Sequence, residues 1–308
     1  MPFSFPHHLK PSLLKRTASS LVEANMLWKK ADYGKDTILA VLDTGCDKNH
    51  PDIKGKIIDG YNFTADYKDP FNFEDNHYHG THVAGSIVGE AAGFWGVAPG
   101  SRLLIVKVID QHGRSDIATL IRALSYVLEW RGPNKEKVDL IVMSLGSRKH
   151  DPALYDIIRL ITQSQILIIA AAGNQGDGNT RTDEYSFPGA YSEVVQVGAV
   201  DENLEPAYFS NCNAQLDLVA QGLNIYSTVP KGFAFLSGTS CAVPMVAGVA
   251  ALLSKGWERD YGYRPTVGQL KQLLFDHAIP LEFAVNAVGH GLIHATKNIL
   301  GGFYYEYY

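Results

Sequence analysis

Hydrophobic residues along this chain come in two spacings. Five short runs are apolar at nearly every position and are bounded by turn residues: Ile38–Leu42, Leu103–Ile109, Leu140–Met143, Ile166–Ala171 and Val194–Val200. Runs this short, apolar throughout, predict strands covered on both faces. Between several of them the period lengthens. In Asp116–Trp130, Ile117, Leu120, Ile121, Leu124, Val127 and Leu128 fall on one side of a helix, and Leu154, Ile157, Ile158 and Ile161 do the same in Asp151–Thr162. Ala242–Leu253 is small and apolar nearly all round, which predicts a helix in the middle of the protein, and Thr266–Phe275 reads as one more. Strands alternating with crossover helices predict an α/β fold, a mostly parallel central sheet with helices on both faces.

Outside these elements, residues 1–25 are polar, carry Pro2, Pro6 and Pro11, and read as an N-terminal arm outside the core. Residues 26–300 read as one domain and residues 301–308 as an aromatic tail. A chain of 308 residues buries roughly 75% of its unfolded surface, so one large core is expected. Lys plus Arg number 27 against 32 Asp plus Glu, a net charge of −5 with no basic block, which argues against nucleic acid and anionic membranes as partners. No apolar run approaching the ~20 residues of a membrane span is expected. The first thirty residues lack the continuous apolar stretch of a secretory signal, so the expected location is cytoplasmic. Cys46, Cys212 and Cys241 are an odd set in a long chain and predict no disulfide framework.

In α/β sheets functional groups collect beyond the carboxyl ends of the strands. Asp43-Thr44-Gly45, Ser144-Leu145-Gly146 and Gly173-Asn174 each follow a predicted strand there. Nucleophilic hydrolysis needs a nucleophile, a base, a carboxylate that orients the base, and donors for the oxyanion. Ser240 lies just before the buried helix, behind the tight turn that Gly238 allows; its bland role is a helix cap. His79 stands where Gly80-Thr81 opens a helix, with an imidazole suited to proton shuttling near neutral pH. His77, His79 and His82 together raise metal binding as an alternative, but the spacing is not that of a helical zinc pair. Asp43 ends an apolar strand and would be buried, needing a donor such as an imidazole N–H, unless it caps a turn. Asn174, flanked by small residues, could donate its amide to an oxyanion or serve as a turn residue.

Taken together, Val41-Leu42-Asp43-Thr44-Gly45, His79-Gly80-Thr81-His82-Val83-Ala84-Gly85, Ala171-Ala172-Gly173-Asn174 and Gly238-Thr239-Ser240, in this order, resemble the subtilisin family of serine proteases from about residue 25 to about 297. Leu42–Asp47, Asn174–Thr182 and Phe209-Ser210-Asn211 resemble its intracellular branch in Bacillus-type bacteria. The resemblance implies a serine endopeptidase acting on cytoplasmic polypeptides. It assigns Asp43 as orienting acid, His79 as general base, Ser240 as nucleophile, and Asn174 with the Ser240 N–H as oxyanion hole. Ser144-Leu145-Gly146, with Gly113-Arg114-Ser115 opposite, resembles the strand that pairs with substrate; Ala171, Ala172, Gly173 and Ser186 resemble pocket walls, open enough for large apolar side chains. It also implies structural calcium: Asp52 matches one ligand although the segment Gly89–Gly96 is shorter than the family's ion-binding loop, and calcium held elsewhere through backbone carbonyls is a further expectation. A homodimer is a further expectation. A short N-terminal arm that blocks the cleft until removed is implied for residues 1–20, of which Phe5-Pro6 is a faint echo. Cys241 and Met245 stand where the family usually has Met and His; the thiol beside the nucleophile predicts sensitivity to thiol reagents. These departures leave a rival, a catalytically silent relative that binds peptides or regulates a protease.

Overall fold

The computed structural model describes residues 16–91 and 94–296. In chain order the strands are β1 Ile38–Asp43, β2 Ile57–Asn62, β3 Glu90–Ala91, β4 Phe94–Trp95, β5 Arg102–Lys107, β6 Leu140–Met143, β7 Leu167–Ala171, β8 Val195–Val200, β9 Leu218–Gln221, β10 Ile225–Val229, β11 Gly232–Leu236, β12 Ala278–Ile279 and β13 Leu292–Ile293. The helices are α1 Ala18–Leu21, α2 Asn25–Trp28, α3 His79–Val88, α4 Ile117–Glu129, α5 Pro152–Gln163, α6 Thr239–Tyr261, α7 Val267–Asp276 and α8 Val285–Val288. Nine strands form one sheet in the order β12-β13-β9-β8-β7-β6-β1-β5-β2, parallel throughout except β12 against β13.

Both faces of the sheet are covered, as the continuous apolar runs predict. Along β1, Leu39 and Val41 join the core beneath α3 and α6, while Ile38, Ala40 and Leu42 join the core beneath α4 and α5. The helix starts are fixed locally. Asp116 accepts from the Thr119 N–H at 2.6 Å, Asp151 from the Leu154 N–H at 3.0 Å, and Thr266 forms a capping box with Gln269. These caps coincide with the beginnings read from the sequence.

Four findings depart from the expectations. Strand β2 was not predicted because Asp59, Gly60 and Asn62 interrupt its apolar pattern, which an edge strand tolerates. Residues 17–24 are not an arm outside the core: Ala18, Val22 and Ala24 are buried in it, and Thr17 bridges to Tyr226 on β10. Residues 1–15 and 297–308, including the aromatic tail, lie outside the described residues. Helix α6 runs 23 residues, well beyond Ala242–Leu253. By length and a mean hydropathy of 1.3 it could cross a membrane, contrary to expectation, but most of it is buried inside the protein, where it packs against β6 to β9.

Candidate active site

The strand order reverses at β1, whose neighbours are β5 and β6, and the crevice beyond the carboxyl ends of such strands is where α/β folds build sites. Asp43 is the last residue of β1 and is buried. Its Oδ1 lies 2.7 Å from Nδ1 of His79, the first residue of α3, and also accepts from the Thr44 N–H at 2.7 Å. The approach of the two elements requires Gly80, because a Cβ there would strike the Gly45 carbonyl. Beneath them, Thr44 Oγ1 accepts from the Gly80 N–H at 2.8 Å and donates to Asp75 at 2.9 Å. Asp75 in turn accepts from the Thr81 N–H and hydroxyl. Burial pushes the His79 pKa down, but the Asp43 charge and hydrogen bond, with the Asp75 charge added, outweigh it and hold the imidazole above its ordinary value.

Ser240 is the second residue of α6, half-buried, so its backbone N–H belongs to the first turn that has no partner within the helix. It caps nothing; Gly238 occupies the cap position. Pro244 lacks the N–H that would bond the Ser240 carbonyl four residues earlier. The Ser144 hydroxyl donates to that carbonyl instead, at 3.1 Å, tying the end of β6 to the start of α6. Asn174, past the end of β7, accepts at its amide oxygen from the Thr239 N–H and hydroxyl, both at 2.9 Å. Its NH2 group is left free among the described residues. A Cβ on Gly238 would lie 3.0 Å from the Ser240 hydroxyl and 3.2 Å from that NH2, so the glycine keeps open the space the two share. Ser240 and His79 make no direct hydrogen bond among the described residues; such contacts tighten when substrate binds.

The residues read as substrate-binding divide. Ser147 pairs with Phe187 through both backbone bonds, at 2.8 and 2.7 Å, directly after Leu145 and Gly146. Across from them Gly113, Arg114 and Ser115 line an open pocket of about 340 Å³ with Ile109, Ile117 and Phe187. Gly173 has φ +103° and is packed against Asn211, where no side chain fits. The Ala171 and Ala172 side chains do not line the cleft: each is buried in a separate core cluster, so these residues offer only backbone. Ser186 is buried, its hydroxyl beneath Gly146.

The model of the family described as the subtilase family matches residues 34–297. The chain belongs to the subtilase family. An intracellular serine protease of Paenibacillus polymyxa is 43% identical over 284 residues, 90% of this chain and 84% of that protein. The major intracellular serine protease of Bacillus subtilis (strain 168) is 40% identical, covering 90% of this chain and 86% of the relative. A subtilisin of Bacillus pumilus is 36% identical over 237 residues, 76% and 82% of the two chains. As a subtilase the protein is a serine endopeptidase.

His77, His79 and His82 do not gather round a metal: His79 faces Asp43, His77 stacks on Tyr78, and Nε2 of the buried His82 meets the Ile225 carbonyl at 3.0 Å. Burial lowers the His82 pKa to about 4, so it stays neutral. The Cys241 thiol is buried and its pKa is pushed up to about 12 by that burial, which makes it a poor target for thiol reagents. For calcium, Asp52 Oδ2 is buried without a hydrogen-bond partner, but burial pushes this carboxyl's pKa up, and among the described residues no cluster of three His, Cys, Asp or Glu could hold a metal.

Sequence reasoning missed Thr44 and Asp75 as supports of the imidazole, and Lys107, which packs beneath them. A signal was present for the last: a lysine inside the apolar run Leu103–Ile109 is a charge placed where a strand is buried.

Proposed function

We propose that this subtilase cleaves peptide bonds of intracellular proteins with Ser240 as nucleophile, His79 as base and Asp43 as the acid that orients it. The carrying observation is the 2.7 Å contact from Asp43 to His79 Nδ1, which leaves Nε2 as the ring's proton acceptor. The Ser240 hydroxyl gives its proton to Nε2 as its oxygen bonds the peptide carbonyl carbon. The carbonyl oxygen takes the negative charge and accepts from the Asn174 NH2 and the Ser240 N–H, at the positive end of α6. His79 passes the proton to the leaving amine, the C–N bond breaks, and water repeats the sequence on the acyl-enzyme. Substrate would add as a strand along Leu145 and Gly146, with one apolar side chain in the pocket beside Gly113.

The cytoplasmic location and action on cytoplasmic polypeptides rest on the names of the relatives, and the homodimer on resemblance alone. A fluorophosphonate that labels the wild type and leaves Ser240→Ala unlabelled supports this reading. Equal labelling of the two, or none of the wild type, would sink it and favour the silent, peptide-binding relative.

A further inference from the structure

Lys107 pairs in register with Asp43 on the neighbouring strand and is fully buried, yet no step above uses it. A buried ammonium is costly unless its donors are all taken and a counter-charge is near. Here both hold. Nζ donates to the Thr44 carbonyl at 2.6 Å, to Asn76 Oδ1 at 3.0 Å and to the Ile109 carbonyl at 3.0 Å, and Asp66 Oδ2 lies 3.0 Å away. The three hydrogen bonds use all three N–H bonds the group has, and Asp66 supplies the counter-charge.

The acceptors are informative. Thr44 directly follows Asp43, and its hydroxyl holds the Gly80 N–H beside His79. Asn76 lies in the segment that leads into α3, three residues before His79, and next to it Asp75 ties Thr44 to Thr81. One head group therefore joins the segment that carries the carboxylate to the segment that carries the imidazole. An apolar residue of the same length would fill the volume without the cost of desolvation, so packing does not account for the charge.

We propose that Lys107 is a positioning residue for the proton relay, setting the separation and angle at which Asp43 meets His79 while touching neither substrate nor the reacting atoms. The proposal rests on the reading of Asp43 and His79 given above. Lys107→Met keeps the length and removes the donors. Asn76→Ala removes only the link to the histidine segment and serves where Lys107→Met does not fold. For each folded variant the fraction of competent sites is counted with the fluorophosphonate, and kcat, KM and the pH profile of kcat/KM are measured on a peptide substrate. Per labelled site, kcat is expected to fall at least about tenfold with KM within threefold, and the acid limb of kcat/KM to move to lower pH as the imidazole loses its carboxylate. A folded Lys107→Met with kcat within threefold of wild type and an unmoved acid limb would overturn the proposal. The same result in Asn76→Ala, where Lys107→Met is unfolded, does so too. If the wild type itself is not labelled at Ser240, the reading of the relay has failed rather than the role of Lys107.

Discussion

The proton affinity of His79 is set by two opposed influences, and the pH profile reads their balance. Burial favours the neutral ring; Asp43 and Asp75 favour the imidazolium, and the charges win. The neutral ring is the working base, so kcat/KM should rise with pH through a midpoint above the ordinary imidazole value of about 6.5. In Asp43→Asn burial is left dominant, so that midpoint should move to lower pH while kcat falls about 10⁴-fold. An acid limb that stays in place in Asp43→Asn would show that the carboxylate does not act on the ring. Asn174 offers a second residue-level prediction. Its oxygen is held by Thr239, so Asn174→Ala removes one oxyanion donor without touching the nucleophile. The loss should match that known for one such donor in a subtilisin, about 10²–10³ in kcat with KM little changed. A comparable rise in KM would mean that the side chain binds substrate in its ground state instead.

Among the elements, α6 carries the most. It presents the half-buried Ser240 in its first turn and fills the core from Cys241 to Ser254, so the nucleophile stands on a support that cannot shift alone. Close approach depends on small residues: Gly248 faces Val97, and an added Cβ would collide with that β-branched side chain. Gly248→Ala should therefore destabilise the fold by about 1–3 kcal/mol despite the higher helix propensity of alanine. The midpoint of guanidinium unfolding, measured on a Ser240→Ala background to prevent self-digestion, checks this. An unchanged or raised midpoint would show that Val97 gives way easily.

Across the whole molecule, the segment before β1 is part of the body. Residue 16 meets Tyr226 through its backbone carbonyl, and the chain after it buries Ala18, Val22 and Ala24 against the main core. A chain beginning at residue 25 should be less stable than one beginning at residue 16 by at least about 2 kcal/mol, the worth of one buried valine with its neighbours. Thermal unfolding of the two truncated Ser240→Ala proteins decides it; equal midpoints would return this segment to the status of a loose arm. Comparing the cleavage rate of the intact chain with that of the chain beginning at residue 16 tests whether residues 1–15 hold back the enzyme.

The alternation of short apolar runs with helical spacing determined the parallel sheet and its helices, because burial of a strand on both faces leaves a continuous apolar signature. The order of Asp43, His79, Asn174 and Ser240 within their small-residue settings likewise determined the family. Only the tertiary structure decided what surrounds them. That Ala172 faces a core cluster, that Cys241 is sealed from reagents, and that Val22 belongs to the interior depend on neighbours far away in the chain. The supports of the imidazole depend on the same distances: Lys107 shows in the sequence only as a charge inside an apolar run, Asp75 not at all, and both gain their meaning from oxygens and N–H groups of other segments, whose distances a sequence does not carry.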